Sequence, residues 1–187
     1  MSRDNNLPFP YGQTMWNGDS NLISASEYAH LEGREYKVND ARYSGGEDIT
    51  LMVVRNKGTV RLAKSHGVTF GTTVGWVGRK IRGYSASSGV LSLPVDDQLV
   101  TSVAQNDLFY VGKAGPFLCQ VAGLVTGATA LTASDAVSFG AAGMLVPGGA
   151  GRYNVGTLDN GAGNITGAIT GNRRVRVLLG KNYADME

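Results

Sequence analysis

From residue 49 onward the chain is written as short runs of β-branched, aromatic and aliphatic residues cut apart by glycine, and this punctuation limits the folds open to it. Residues 50–55, 59–64, 68–70, 74–77 and 80–84 follow in quick succession, and 90–93 and 109–111 continue the series. Several alternate apolar with polar, as Val60 and Leu62 do against Arg61, which is the period of a strand with one buried face. The last third keeps the same grammar at 117–121, 136–139, 144–146, 153–155 and 174–179. Glycine supplies 27 of the 187 residues without a G-X-Y period and with only 5 prolines, so its use is in turns and not in a collagen helix. Regularly spaced short strands predict an all-β domain, a small barrel or sandwich, over residues 45–182, with a tail at 183–187. Asn56-Lys57-Gly58 predicts a hairpin turn. Two helices are admissible: 24–32, where Ser24 and Glu27 have capping-box spacing, and 95–106, where Leu99, Val100 and Val103 have helical spacing.

Residues 1–44 have a different character and predict an extended N-terminal arm. Pro8 and Pro10 disfavour regular helix or central strand, while Leu7, Phe9, Tyr11, Met15 and Trp16 are isolated anchors in a stretch rich in Asn, Asp and Gly. Aromatic residues are depleted in disordered chain and enriched at contact surfaces. Leu7, Phe9, Tyr11 and Trp16 are therefore expected to lie on a neighbouring protein; the competing expectation is that the arm packs back on its own domain.

Charge is segmented along the chain. The formal net charge is only +2, but residues 1–50 carry four basic and eight acidic side chains, and residues 51–82 carry seven basic and none acidic. Arg55, Arg61, Lys64, Arg79, Lys80 and Arg82, with Lys57, are candidates to line one docking surface. Two partners fit such a surface: an acidic protein face, or nucleic acid with Trp76 or Tyr84 stacking on bases. The small net excess and the lack of a nucleic-acid module favour protein. No run approaches the ~18 apolar residues that cross a bilayer and no segment has the order of a secretion signal, so no membrane partner is expected and synthesis in a cytoplasm is. The single cysteine, Cys119, sits in an apolar run and reads as a small buried hydrophobe.

Catalytic chemistry is not written in any recognisable spacing. Two histidines, His30 and His66, far apart in sequence, do not predict a metal centre, and no phosphate-binding or dinucleotide-binding glycine loop is present. Gly83-Tyr84-Ser85-Ala86-Ser87 fails as a nucleophile elbow, and Asp96-Asp97 reads as a solvated loop, since neighbours on a strand face opposite ways. No catalytic residue, cofactor or metal is expected, and the chain is not expected to be an enzyme.

Residues 115–180 carry an order of motifs that resembles a known family. Gly115-Pro116-Phe117-Leu118 opens a strand, Leu131-Thr132-Ala133-Ser134-Asp135-Ala136-Val137 follows, then Ala142-Gly143-Met144-Leu145-Val146, Ile165-Thr166-Gly167-Ala168-Ile169 and a terminal Arg174-Val175-Arg176-Val177-Leu178-Leu179-Gly180. This order resembles the small β-domain of the capsid cement or decoration proteins of tailed bacteriophages and spans about a third of the chain. The stretch 147–163 is longer than the family pattern, and the N-terminal arm lies outside it. The resemblance implies a structural virion protein on the capsid exterior that binds the major capsid protein, bridges neighbouring capsomers and stabilises the head, often as a symmetric homo-oligomer such as a trimer. Other classes remain open at this point: a head fibre base or tail component, or a β-module that binds glycan or nucleic acid.

Overall fold

The computed structural model describes residues 7–15, 28–40, 47–72, 79–87, 89–121, 131–132, 134–159 and 173–180. The chain is nearly all-β, and its sheet curls into a half-barrel. Ten strands are defined among the described residues: β1 (Glu35–Asp40), β2 (Glu47–Asn56), β3 (Gly67–Phe70), β4 (Lys80–Tyr84), β5 (Ser92–Pro94), β6 (Leu108–Gln120), β7 (Ala136–Phe139), β8 (Leu145–Pro147), β9 (Gly156–Leu158) and β10 (Arg174–Leu179). The sheet runs β5-β3-β4-β2-β6-β10-β9-β7-β8, with β1 alongside the first half of β2.

Two strands organise everything else. β2 meets β1 through residues 47–52 and β4 through Arg55 and Asn56, while β6 gives its first half to β2 and its second half to β10. The change of partner occurs at Gly115, whose φ of +92° is open to glycine and whose Cβ, if present, would lie 2.6 Å from the Asp48 carbonyl oxygen. The far edge of the sheet returns to β6 through a bridge between Val95 and Val111 and a 3.0 Å bond from the Asp96 amide to the Tyr110 carbonyl.

Because β2 and β6 lie between two cores, both of their faces are covered. Met52, Val54, Phe109 and Val111 point into the curl of the half-barrel beside Leu62, Val68, Ile81, Leu93, Leu99 and Val103. The alternate set, Ile49, Leu51, Val53, Leu108 and Tyr110, points the other way onto Phe117, Cys119, Val137, Phe139 and Val177. This explains the unbroken apolar runs Leu51-Met52-Val53-Val54 and Leu108-Phe109-Tyr110-Val111: a strand buried on both faces has no polar alternation. The two parts are keyed together at Gly67, where an added Cβ would overlap the Phe139 ring at 2.2 Å.

Several expected elements take another form. The expected boundary at residue 45 is not where the sheet begins, because β1 lies within residues 1–44 and pairs with β2 along its whole length. No hairpin forms at residues 56–58. The Lys57 and Gly58 amides both bond the Ile81 carbonyl, so β2 runs parallel to β4, and residues 59–64 supply one bridge, Leu62 to Val103. The Asn56 side chain fixes this turn, accepting from the Gly58 amide at 3.0 Å and donating to the Val60 and Ala104 carbonyls. Residues 95–106 are not helical, since the Val95 and Val103 amides are taken by His66 and Leu62 in the sheet. Of 24–32, a 3-10 turn covers Ala29–Leu31, and 24–27 lie outside the described residues. The strand expected at 153–155 begins instead at Gly156, where pairing with β7 and β10 starts. The runs 74–77 and 165–169 also fall outside the described residues.

Candidate docking site at the rim of the half-barrel

The apolar residues of the described N-terminal segment lie on their own domain. Phe9 is 6% exposed and stacks on Tyr110, with ring centroids 4.3 Å apart. The Tyr110 hydroxyl donates to the Phe9 carbonyl at 2.7 Å and faces the Phe9 amide at 3.4 Å. Met15 pairs with Leu108 by two backbone bonds, and the half-buried Leu7 and Tyr11 pack against the same core. Phe9 is thus corrected from a contact on a neighbour to part of an internal strap over residues 7–15, to which the half-buried Leu7 and Tyr11 also belong. Trp16 lies outside the described residues.

The same strap overturns the expectation for Asp96 and Asp97, which are buried and not in a solvated loop. Asp96 accepts from the Gly12 amide at 2.8 Å and the Gln98 amide at 2.8 Å. Asp97 accepts from the Tyr11 hydroxyl at 3.0 Å and the Leu118 amide at 3.0 Å. Neighbours on extended chain point apart, and here each carboxylate uses its own side to hold a different segment. Buried carboxylates need such partners, and backbone amides provide them.

The basic stretch divides into several environments. Arg55 is 1% exposed, forms an ion pair with Glu32, and donates from Nη1 to the Asn106 carbonyl at 2.9 Å. It is therefore corrected from a surface contact to a buried support. Arg55 and Lys80 are paired residues on the parallel strands β2 and β4, and Lys80 Nζ lies 3.9 Å from the second oxygen of the same Glu32. Two residues on, Lys57 Nζ donates to Asn106 Oδ1 at 2.9 Å and Arg82 is exposed. The intervening Ile81 points into the half-barrel. Lys80 and Arg82 therefore share the side of β4 away from the half-barrel, beside the buried Arg55–Glu32 pair, with Lys57 just past the end of β2. The Lys57 ammonium is held below its usual pKa by partial burial first, then by Arg55 and Lys80, with Glu32 opposing.

The remaining candidates surround this face less closely. Arg79 is exposed and its side chain lies across Gly33, next to Glu32. Arg61 donates to Ser102 Oγ at 3.4 Å and faces Asp107, whose carboxyl is pushed up by burial against the opposing pull of the Ala104 amide and nearby cations. Lys64 is exposed on the loop before β3. The Tyr84 hydroxyl donates to the Arg61 carbonyl at 3.0 Å and accepts from the Ala63 amide at 2.7 Å, and His66 lies 5.4 Å from its ring; Trp76 lies outside the described residues. Sequence reasoning missed Glu32 as the counter-ion of Arg55. Glu32 sits in the acidic N-terminal segment, and only the fold brings it beside the basic one.

Among the described residues no group of three His, Cys, Asp or Glu side chains converges as a metal site would, and no helix is long and apolar enough to cross a membrane. Ser85, from the failed nucleophile motif, is buried and bonded to the Ser87 and Phe139 carbonyls. Cys119 is buried, and burial raises its thiol pKa well above the ordinary value.

No protein-family model and no curated protein matches the chain. Among solved structures it is similar to the head fibre gp8.5 N base of bacteriophage phi29, at 14% identity and a TM-score of 0.41, over 71% of this chain and 94% of that one.

Proposed function

We propose that the chain is a structural protein of a tailed-phage virion, seated on the outside of the capsid shell as a cement or decoration protein. Its partners would be the major capsid protein and copies of itself, and it would bridge neighbouring capsomers without catalysing a reaction. One observation supports this reading: the described parts of the segment with the family's motif order pair in one sub-sheet. Gly115-Pro116-Phe117-Leu118 is the second half of β6, Ala136-Val137 opens β7, Leu145-Val146 opens β8, and Arg174-Val175-Arg176-Val177-Leu178-Leu179 is β10. The terminal strand pairs antiparallel with the opening one, Leu179 against Gly115 through Arg174 against Gln120. Residues scattered over sixty positions of sequence thus form one packed unit, as a shared domain requires.

The rest of the chain suits a load-bearing role. Two cores share the β2 and β6 wall, and the strap ties residues 7–15 to positions near 97 and 110. The test is copy number and position on purified particles, by quantitative mass spectrometry and image reconstruction. A cement protein occurs at many equivalent sites over the shell. Restriction to a few vertices or to the tail would replace this role with that of a fibre base or tail component, and absence from particles refutes the proposal.

A further inference from the structure

The rim carrying Lys57, Lys80 and Arg82 beside the buried Arg55 is hard to explain as a stabilising feature. Like charges placed opposite one another across a strand pair destabilise it, and here Arg55 is paired with Lys80 while Lys57, just past the end of β2, is close enough to both for their charges to lower its pKa. Among the described residues, the carboxylate bonded within this group is Glu32, held by Arg55 and 3.9 Å from Lys80. Glu32 and Arg55 are both buried and hold each other in place, so this pair forms a fixed floor beneath the more exposed ammonium and guanidinium groups. Arg79 extends the positive rim across Gly33. Charge that opposes folding and is nevertheless held on a rigid strand pair is suited to a partner that neutralises it.

From this geometry we infer that the β2–β4 rim is a docking surface for the carboxylate-rich face of another protein, with Lys57, Lys80 and Arg82 making the contacts and Arg55–Glu32 positioning them. Nucleic acid is disfavoured because the net charge of the chain is only +2 and its sequence carries no recognisable nucleic-acid module. The inference deepens the virion reading and rests on it only for the partner's identity, an acidic patch on the shell.

The test pairs Lys57→Gln/Arg82→Gln with a control, Arg152→Gln, which removes an exposed cation from the turn after β8. Binding of an oligoglutamate peptide to the full chain is measured by calorimetry at low and physiological salt, beside a single-stranded oligonucleotide of equal charge. The double variant should weaken peptide binding about three- to tenfold and the control should leave it within about twofold. At low salt the double variant should also melt about 1–3 °C higher, a gain that vanishes at high salt because it comes from relieved repulsion. A purely structural rim would instead lose stability. The inference is overturned if the wild type binds no peptide, if the control weakens binding as much, if the oligonucleotide binds more tightly, or if the double variant melts lower. Absence of the wild-type chain from particles refutes the virion reading separately, and the peptide result still decides this one.

Discussion

Replacing Phe9 with alanine removes a ring that stands 4.3 Å from Tyr110 and is 6% exposed, although it lies only nine residues into the chain. Burying a phenylalanine is worth about 1.5–3 kcal/mol in transfer from water, and stacking on a second ring adds about 0.5–1.5 kcal/mol. A residual cavity brings core Phe→Ala changes to about 3–5 kcal/mol; the strap lies at the core's edge and can settle, which places Phe9→Ala near the low end, about 3 kcal/mol. For a domain of this size the urea m-value is about 2 kcal/mol/M, so the unfolding midpoint should fall by about 1.5 M at unchanged m. Tyr110→Phe keeps the ring but removes the hydroxyl that donates to the Phe9 carbonyl, and should lower the midpoint by about 0.5 M. The assay is equilibrium urea unfolding of the isolated chain by circular dichroism and tyrosine fluorescence. A Phe9→Ala midpoint within about 0.3 M of the wild type would refute the packing argument and return the aromatic strap to a role on a neighbouring molecule.

Other outcomes follow from the buried polar groups. Asp96→Ala leaves the Gly12 and Gln98 amides without their carboxylate acceptor and should lower stability by about 3 kcal/mol in the same assay, with early proteolysis ahead of Gly12. Glu32→Gln removes the carboxylate that pairs with the buried Arg55 guanidinium, and should destabilise by about 3–5 kcal/mol as read by thermal melting. Burial raises the Asp107 pKa, so the folded state holds this proton more tightly than the unfolded chain does. Its contribution to stability is therefore greatest at acid pH and declines as pH rises from the ordinary aspartate value of 3.8 through the raised pKa; Asp107→Asn should remove that slope from a series of melts across this range. The Cys119 thiol, buried and raised in pKa, should resist a thiol reagent in the native chain and react only on unfolding.

The β class was legible because strand periodicity and glycine punctuation are local signals, and most of the runs that fall on described residues are strands. What the sequence did not disclose depends on distant partners. Nothing near Phe9 reveals that Tyr110, 101 residues away, will cover it, so a proline-flanked aromatic looks like a free contact. Asp96-Asp97 looks solvent-bound until the strap brings the Gly12 amide and Tyr11 hydroxyl to it. The helical spacing of Leu99 and Val103 reflects a loop whose apolar residues enter the half-barrel while its amides join the sheet. For the rim, the surplus of cations between 51 and 82 was plain. Which of them share a face required the parallel register of β2 and β4, and the buried ion pair required Glu32 to arrive from the acidic segment.

The double allegiance of Leu108–Gln120 bears on how the chain must be made. Its first half finds β2 early in synthesis, but its second half waits for residues 174–179 to leave the ribosome. Until then Phe117 and Cys119 have no β10 beside them, and the nascent polypeptide presents a sticky, half-finished edge. Such dependence on late, distant pairing slows acquisition of the native state. A ribosome stalled before codon 173 should release a product that aggregates or is degraded, so abundance of this protein would be sensitive to termination ahead of β10.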